Sequence, residues 1–278
     1  MARRALLIGI NRYLIPGADL RGCVNDVKNI RAALLQYFAF RSGDIKVLSD
    51  RAATKKAMQS GIAALVASGR KGDVLYLHYS GHGSNVPDKN GDEADHRDEI
   101  LCPADLDWKD PLTDDWLRGA FNKLRAGVNL TVVMDCCHSG TNTRAILSPD
   151  APVIPRYLPN PWDLMAEESR RRLRGTVRGA GARAARKRSD VVEAAIGETL
   201  FAGCRSTQTS ADAYIGRTYN GAMTYSLVAA IQAARGKLTN RELHAATSQR
   251  LKAGDFDQVP QLEGRRTAFD RPFLSSLG

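Results

Sequence analysis

The sequence predicts an α/β fold, with a mostly parallel central sheet and helices on both faces. Three observations carry this. Short apolar runs alternate along the chain with stretches whose apolar residues recur at helical spacing. Two of those runs, Val74–Tyr79 and Leu130–Met134, are nearly without polarity, as strands buried on both faces are. Both runs also stop abruptly in small and reactive residues: Ser80, Gly81, His82 and Gly83 after one, Asp135, Cys136, Cys137, His138, Ser139 and Gly140 after the other. In open α/β sheets, ligands and chemistry collect beyond the carboxyl ends of such strands.

Taken in order, Ala5–Ile10 is the first strand, followed by a loop around Pro16 and Gly17. Asn25–Phe38 carries Val27, Ile30, Leu34 and Leu35 at helical spacing, with Asn25 or Asp26 where an N-cap belongs. Ile45–Leu48 is a short strand, and Lys55–Val66 is a helix with Met58, Ile62 and Leu65 on one face. Between the strands Val74–Tyr79 and Leu130–Met134 come a polar, acid-rich loop, Asp88–Glu99, and a helix over Leu112–Leu124. From Ser148 the pattern breaks. Pro149, Pro152, Pro155, Pro159 and Pro161 lead into an arginine run punctuated by Gly175, Gly179 and Gly181, which reads as a mobile loop. Glu198–Gly203 is a further strand and Ala222–Ala234 a helix. Thr239–Leu251 is a helix opened by a capping box from Thr239 to Glu242. Val259–Leu262 and Thr267–Phe273 are candidates for a final strand.

Composition narrows the class. Five cysteines, two of them adjacent, make a poor disulfide framework and favour a reducing, cytoplasmic setting. Ala5–Ile10 is too short for the apolar core of a signal peptide, and no run reaches the length of a membrane span. The net charge of +10 suggests nucleic acid, but its distribution argues otherwise. Arg170, Arg171, Arg172, Arg174, Arg178, Arg183, Arg186, Lys187 and Arg188 supply nine positive charges with no acid among them, leaving a balance of +1 for the rest. No aromatics interleave them, which weakens a base-stacking role.

The two strand ends bring together a thiol and an imidazole from positions 55 apart. A free cysteine, of pKa about 8.5, is only a few per cent thiolate at neutral pH. An imidazole of pKa about 6.5 beside it can take the proton and return it to a leaving amine. His82 lies between two glycines, where backbone can bend and substrate can approach. The amides of Gly83 and Cys137 are the natural donors to a developing oxyanion. Because side chains alternate along a strand, Cys136 and Cys137 cannot share one pocket. Asp135 and Cys137 fall on one side and Cys136 on the core side. His138 is too close in sequence for in-line transfer, and His78, inside the apolar strand, reads as a satisfied buried histidine.

YSGHG ending at Gly83 and DCCHSG ending at Gly140 resemble the caspase-like cysteine peptidases, specifically the metacaspases of the prokaryotic type without a prodomain. The resemblance extends to GCVNDV (Gly22–Val27), GCRSTQTSADA (Gly203–Ala213), GAMTYSL (Gly221–Leu227) and PQL (Pro260–Leu262), and so spans nearly the whole chain. It implies a caspase-like fold and a thiol endopeptidase cutting after arginine or lysine rather than aspartate. His82 would be the general base and Cys137 the nucleophile. Cys23, Asp26, Ser80 and Asp135 match positions lining the pocket for the basic side chain. The chemistry of the residues agrees: a guanidinium needs a carboxylate partner, and Asp135 stands two residues before the nucleophile on its side of the strand. Many metacaspases need calcium. Asp98, Asp114 and Asp115 match three of its ligand positions, while Arg144, a cation, stands at the fourth. Calcium is therefore expected at most as an activator, and the chemistry itself requires no cofactor. Asp88–Glu93, DKNGDE, lacks the full spacing of an EF-hand loop.

The expected organisation is a single domain, 1–278, with a large part (1–148), a Pro/Arg-rich connecting segment (149–194) and a small part (195–278). Cleavage within Arg170–Arg188, by the enzyme itself or an upstream protease, would activate it. The expected partners are protein or peptide substrates with Arg or Lys at the cut. Neither nucleic acid nor membrane is expected, and the chain is expected to be a monomer. The rival readings are a silent caspase-fold scaffold that binds basic peptides, and a tether to nucleic acid or an acidic partner through the arginine run.

Overall fold

A computed structural model of the chain describes residues 1–88, 97–138, 153–165, 198–205 and 208–277. Among the described residues, six strands form the central sheet: β1 (Arg3–Gly9), β2 (Ile45–Ser49), β3 (Val74–Ser80), β7 (Asn129–Asp135), β9 (Glu198–Ala202) and β12 (Gln261–Gly264). Their spatial order is β12-β9-β7-β3-β1-β2. All neighbours are parallel except β12, which runs antiparallel to β9 at the edge. The sequence alternation appears as a period of two across this sheet. Leu75, Leu77 and Tyr79 of β3, with Leu130, Val132 and Met134 of β7, enter one core layer; Val74, Tyr76 and Val133 enter the other. The first layer is closed by α2 (Lys55–Ser68) through Met58, Ile62 and Leu65, and by α3 (Asp114–Phe121) through Leu117. The second is closed by α1 (Cys23–Tyr37), α4 (Ala222–Ala233) and α5 (Asn240–Ala253). Among the described residues no helix is long and apolar enough to cross a membrane.

The chain leaves β1 for β2 on one side, then crosses to β3 on the other, so the order reverses between β1 and β3. The crevice beyond a reversal of this kind is where α/β sheets hold ligands. Two small antiparallel sheets rim it: β4 (Gly83–Pro87), β5 (Arg97–Leu101) and β6 (Leu112–Thr113) on one side, and β8 (Val153–Pro155), β10 (Ala211–Ile215) and β11 (Thr218–Gly221) on the other.

Several expectations are corrected here. Neither Asn25 nor Asp26 caps α1, which begins at Cys23. The amides of Cys23 and Val24 donate to Asn11 Oδ1 instead, and that of Gly22 to Asp212. Asn25 reaches across to Tyr219 O and Thr218. Leu112 is not helical: Leu112–Thr113 pairs with β5, and Thr113 then caps α3 through Trp116 N. Of the polar loop Asp88–Glu99, Arg97–Glu99 belongs to β5, which pairs antiparallel with β4, and residues 89–96 lie outside the described set. Strand β12 ends at Gly264, and Arg266–Phe269 is a short helix rather than a continuation of that strand. The capping box opening α5 is present, with Glu242 N donating to Thr239 Oγ1 and Thr239 N to Glu242.

Candidate active site

β3 and β7 are neighbours in register, with Ser80 opposite Asp135. Two residues beyond that pair lie His82 and Cys137. Their loops meet on one atom: Gly83 N donates to the carbonyl oxygen of Arg156 at 3.1 Å, and Cys137 N to the same oxygen at 3.2 Å. Gly83 is required by proximity, since a Cβ there would fall 2.8 Å from the Cys137 carbonyl carbon.

His82 is fixed through its backbone and its ring. Its N donates to Tyr13 Oη at 2.8 Å, and its O accepts from Tyr79 Oη at 2.6 Å and from Cys102 N at 3.0 Å. Nε2 lies 2.8 Å from Ala18 O. A carbonyl only accepts, so Nε2 carries the proton and Nδ1 carries the lone pair. Nδ1 has no hydrogen-bond partner among the described residues. Burial pushes the imidazole down to about 4, so it is held neutral.

Cys137 is buried and packs with Tyr157 and Cys204. Its sulfur accepts from Ser210 N and lies 3.3 Å from the Cys204 sulfur. Burial first, and Cys204 second, push the thiol well above its ordinary range. Cys136 faces the opposite core layer, 3.6 Å from His138 Nε2. Ser139 and Gly140 lie outside the described residues.

Around the crevice three carboxylates converge on the guanidinium of Arg156, all four side chains without exposed surface. Nη2 lies 2.7 Å from Asp26 and 3.0 Å from Asp212, and Nη1 lies 3.1 Å from Asp135. Ser80 Oγ accepts from Nη1 at 2.8 Å and donates to Asp26 at 2.7 Å. Each acid is held in turn. Asp26 accepts from Gly221 N at 2.9 Å, Asp135 from Thr224 N and Oγ1 and from Ser210 Oγ, and Asp212 from Arg21 N and Gly22 N. Burial raises Asp26 to about 6, with the charge of Asp135 adding to this and Arg156 opposing it. Burial would raise Asp135 too, but Arg156, Ser210 and Thr224 outweigh it and hold that carboxyl below the usual range. Cys23, also buried there, has its thiol pushed well up by burial against the pull of Arg156.

The structure therefore brings His82, Gly83, Cys137, Cys23, Asp26, Ser80 and Asp135 into one crevice. The sequence reading missed Asp212, Ser210 and Thr224, although all three lie in stretches that carried the resemblance. It missed Arg156 altogether, because a single arginine among prolines carries no periodic signal. Tyr13 and Tyr79, which hold His82, read only as apolar-strand and loop residues. His78 corrects an expectation: neither ring nitrogen has a hydrogen-bond partner among the described residues, and burial pushes it to about 4.

Of Asp98, Asp114 and Asp115, the aspartates considered for calcium, the last two pair with an arginine. Arg118 lies 3.2 Å from Asp114 and 3.0 Å from Asp115, and among the described residues no group of three or more His, Cys, Asp or Glu could hold a metal ion. Arg144 and the run Arg170–Arg188 lie outside the described residues.

A family model described as "Metacaspase, peptidase C14 domain" matches residues 3–145. Metacaspase-1 of Pyricularia oryzae is 33% identical over 94% of this chain and 71% of its own length. Metacaspase-1A of Neurospora crassa is 33% identical over 83% of this chain, and Metacaspase-1 of Eremothecium gossypii 32% over 94%. The chain spans 56% and 63% of those two relatives. A crystal structure of a protein from Geobacter sulfurreducens superposes over the full length of both chains, with a TM-score of 0.70 and 26% identity.

Proposed function

Because this chain belongs to the metacaspase family of cysteine peptidases, we propose that it is an endopeptidase cutting after arginine, and less readily lysine, through Cys137 and His82. Family membership makes its substrates proteins or peptides. One observation carries the finer reading: an arginine whose guanidinium meets three carboxylates while its carbonyl oxygen accepts from Gly83 N and Cys137 N. Both Nη atoms are used, on different acids, which suits the planar fork of arginine better than the point charge of lysine.

This reading assigns the residues as follows. Cys137 Sγ attacks the carbonyl carbon while His82 Nδ1, the free lone pair, takes the thiol proton. Gly83 N and Cys137 N hold the oxyanion. Asp26, Asp135, Asp212 and Ser80 orient the substrate arginine, and Cys23 lines the same pocket. Tyr13, Tyr79 and Ala18 keep His82 in its tautomer and position. Proteolytic activation in the connecting segment, with Arg170–Arg188 as the stretch the sequence offers, and a cytoplasmic monomer belong to the same reading. Calcium activation through Asp98, Asp114 and Asp115 is the weaker part of it, since Arg118 already engages two of the three.

The test uses wild type and Cys137→Ala with an Arg-reporter and an Asp-reporter peptide, each with calcium and with chelator. Turnover of the Arg reporter alone, lost by at least 1,000-fold in Cys137→Ala, is the expected result, and the chelator arm decides the metal. Silence before and after a trypsin nick in the connecting segment would put the peptide-binding scaffold ahead.

A further inference from the structure

The peptide held in the crevice is the protein's own. β8 pairs antiparallel with β10, Pro155 opposite Ala211 and Ile154 opposite Asp212. Arg156 N then donates to Ser210 O at 2.9 Å. Its side chain fills the acidic pocket, and its carbonyl takes both N–H donors of the two catalytic loops. Past this residue the chain runs on across the nucleophile. Tyr157 bridges Gly83 and packs on Cys137 and Cys204. Leu158 N donates to Gly83 O at 2.9 Å, and Leu158 O accepts from Ser84 Oγ at 2.5 Å. Asn160 Nδ2 donates to Asn85 Oδ1 at 2.9 Å.

A segment added to a sheet edge by main-chain hydrogen bonds, with one side chain in a deep pocket, is the way extended peptides are recognised. Residues on both sides of one peptide bond are held here, and that bond lies between Arg156 and Tyr157. Resting on Cys137 as nucleophile and His82 as base, we propose that Arg156–Tyr157 is the chain's own cleavage site, cut in cis, and that Arg156 closes the pocket to other substrates until then.

The step balances with water as the only co-reactant. Cys137 Sγ bonds to the Arg156 carbonyl carbon as its proton passes to His82 Nδ1. The bond to Tyr157 N then breaks, and that nitrogen takes the proton from His82 and leaves as an amine. Water adds to the thioester, its proton passing to His82. The C–S bond breaks, Cys137 recovers its thiol with the proton from His82, and the new carboxylic acid of Arg156 releases the second proton of the water to solvent and ends as a carboxylate. The cut falls outside Arg170–Arg188, so the two locations give different new termini.

Full-length wild type, Cys137→Ala, Arg156→Gln and Arg156→Lys are incubated over a hundredfold range of protein concentration. Intact mass and N-terminal sequencing follow the chains, while an Arg reporter is assayed in parallel and melting curves verify folding. A new terminus at Tyr157 is expected in wild type, with a rate constant independent of concentration, and none in Cys137→Ala. Arg156→Gln should slow that cut at least 100-fold. Should it fail to fold, Arg156→Lys, which keeps the charge without the fork, should slow it at least tenfold. Reporter turnover in wild type should lag until the Tyr157 terminus appears. Reporter turnover without any chain beginning at Tyr157, or with cuts only within 170–188, overturns the proposal and leaves the peptidase reading standing. So does a rate proportional to protein concentration, or full turnover without lag. No turnover by any variant, before or after trypsin, defeats the peptidase reading itself.

Discussion

At the scale of single residues, His78 carries a measurable acid liability. Its folded value is about 4 and its ordinary one about 6.5, burial being the cause. Between those values the unfolded chain binds a proton that the folded chain does not. Stability is therefore intact above about pH 6.5 and lost as pH falls toward 4, by up to about 3 kcal/mol for this group. His78→Leu should narrow that loss, so its melting temperature relative to wild type should rise more at pH 5 than at pH 7.5. Asp26, held at about 6, acts in the opposite sense: its folded state keeps a proton the unfolded chain releases, and stability falls as pH rises toward 6. The difference between the two proteins, rather than either curve, therefore reads His78; an equal shift at both pH values would refute the argument.

The pocket acids make a second residue-scale prediction. Asp212 has no exposed surface and shares Nη2 of Arg156 with Asp26. Truncating one partner of a buried, hydrogen-bonded charge pair costs about 2–4 kcal/mol, or roughly 30- to 1,000-fold in kcat/KM at 1.4 kcal/mol per tenfold. Asp212→Asn and Asp135→Asn should each show that loss on an Arg reporter with the fold retained by circular dichroism. An unchanged kcat/KM in Asp212→Asn would remove Asp212 from the pocket.

At the scale of elements, the turn from β3 into β4 is the tightest requirement. Its Gly83 sits against the Cys137 backbone so closely that any side chain must displace the loop that carries Cys137. Gly83→Ala should lower kcat at least 100-fold, the loss expected when one oxyanion donor is misplaced, with KM little changed. The α5 cap gives a contrasting case. Thr239→Ala removes the Oγ1 half of the capping box at the surface, keeping the backbone N–H donated to Glu242, and should cost about 1 kcal/mol of stability. Activity at 25 °C should not change, because Thr239 touches no part of the crevice. A matching drop in kcat would tie α5 to the site.

On the scale of the whole molecule, the central sheet joins the two sides of the proposed cut. β9 and β12 follow it in sequence, yet β9 pairs with β7 along its length, and Asp26 and Gly22 bind Gly221 and Asp212 across the same seam. The cut chain should therefore elute from size exclusion at the position of the intact one, its pieces separating only in denaturant. Separation under native conditions would mean that these contacts do not hold without the covalent link.

The sequence by itself determined the local terms: apolar alternation, capping at Thr239, and the small and reactive residues closing two buried strands. These depend on neighbours within a few residues, so the parallel α/β sheet and the positions of His82 and Cys137 were legible. Recognising the motifs added Asp26, Ser80 and Asp135. The tertiary structure decided what depends on residues far apart in the chain. Asn11 and Asp212, rather than Asn25 or Asp26, satisfy the start of α1, because an amide takes whichever oxygen the fold delivers. Leu112 became a strand because β5 supplied hydrogen-bond partners that its own helical spacing could not reveal. Arg156, unremarkable among prolines, is buried because three acids contributed by α1, β7 and β10 meet only in the folded chain. A lone charge has no period and no local partner, and only the converging acids make its burial favourable.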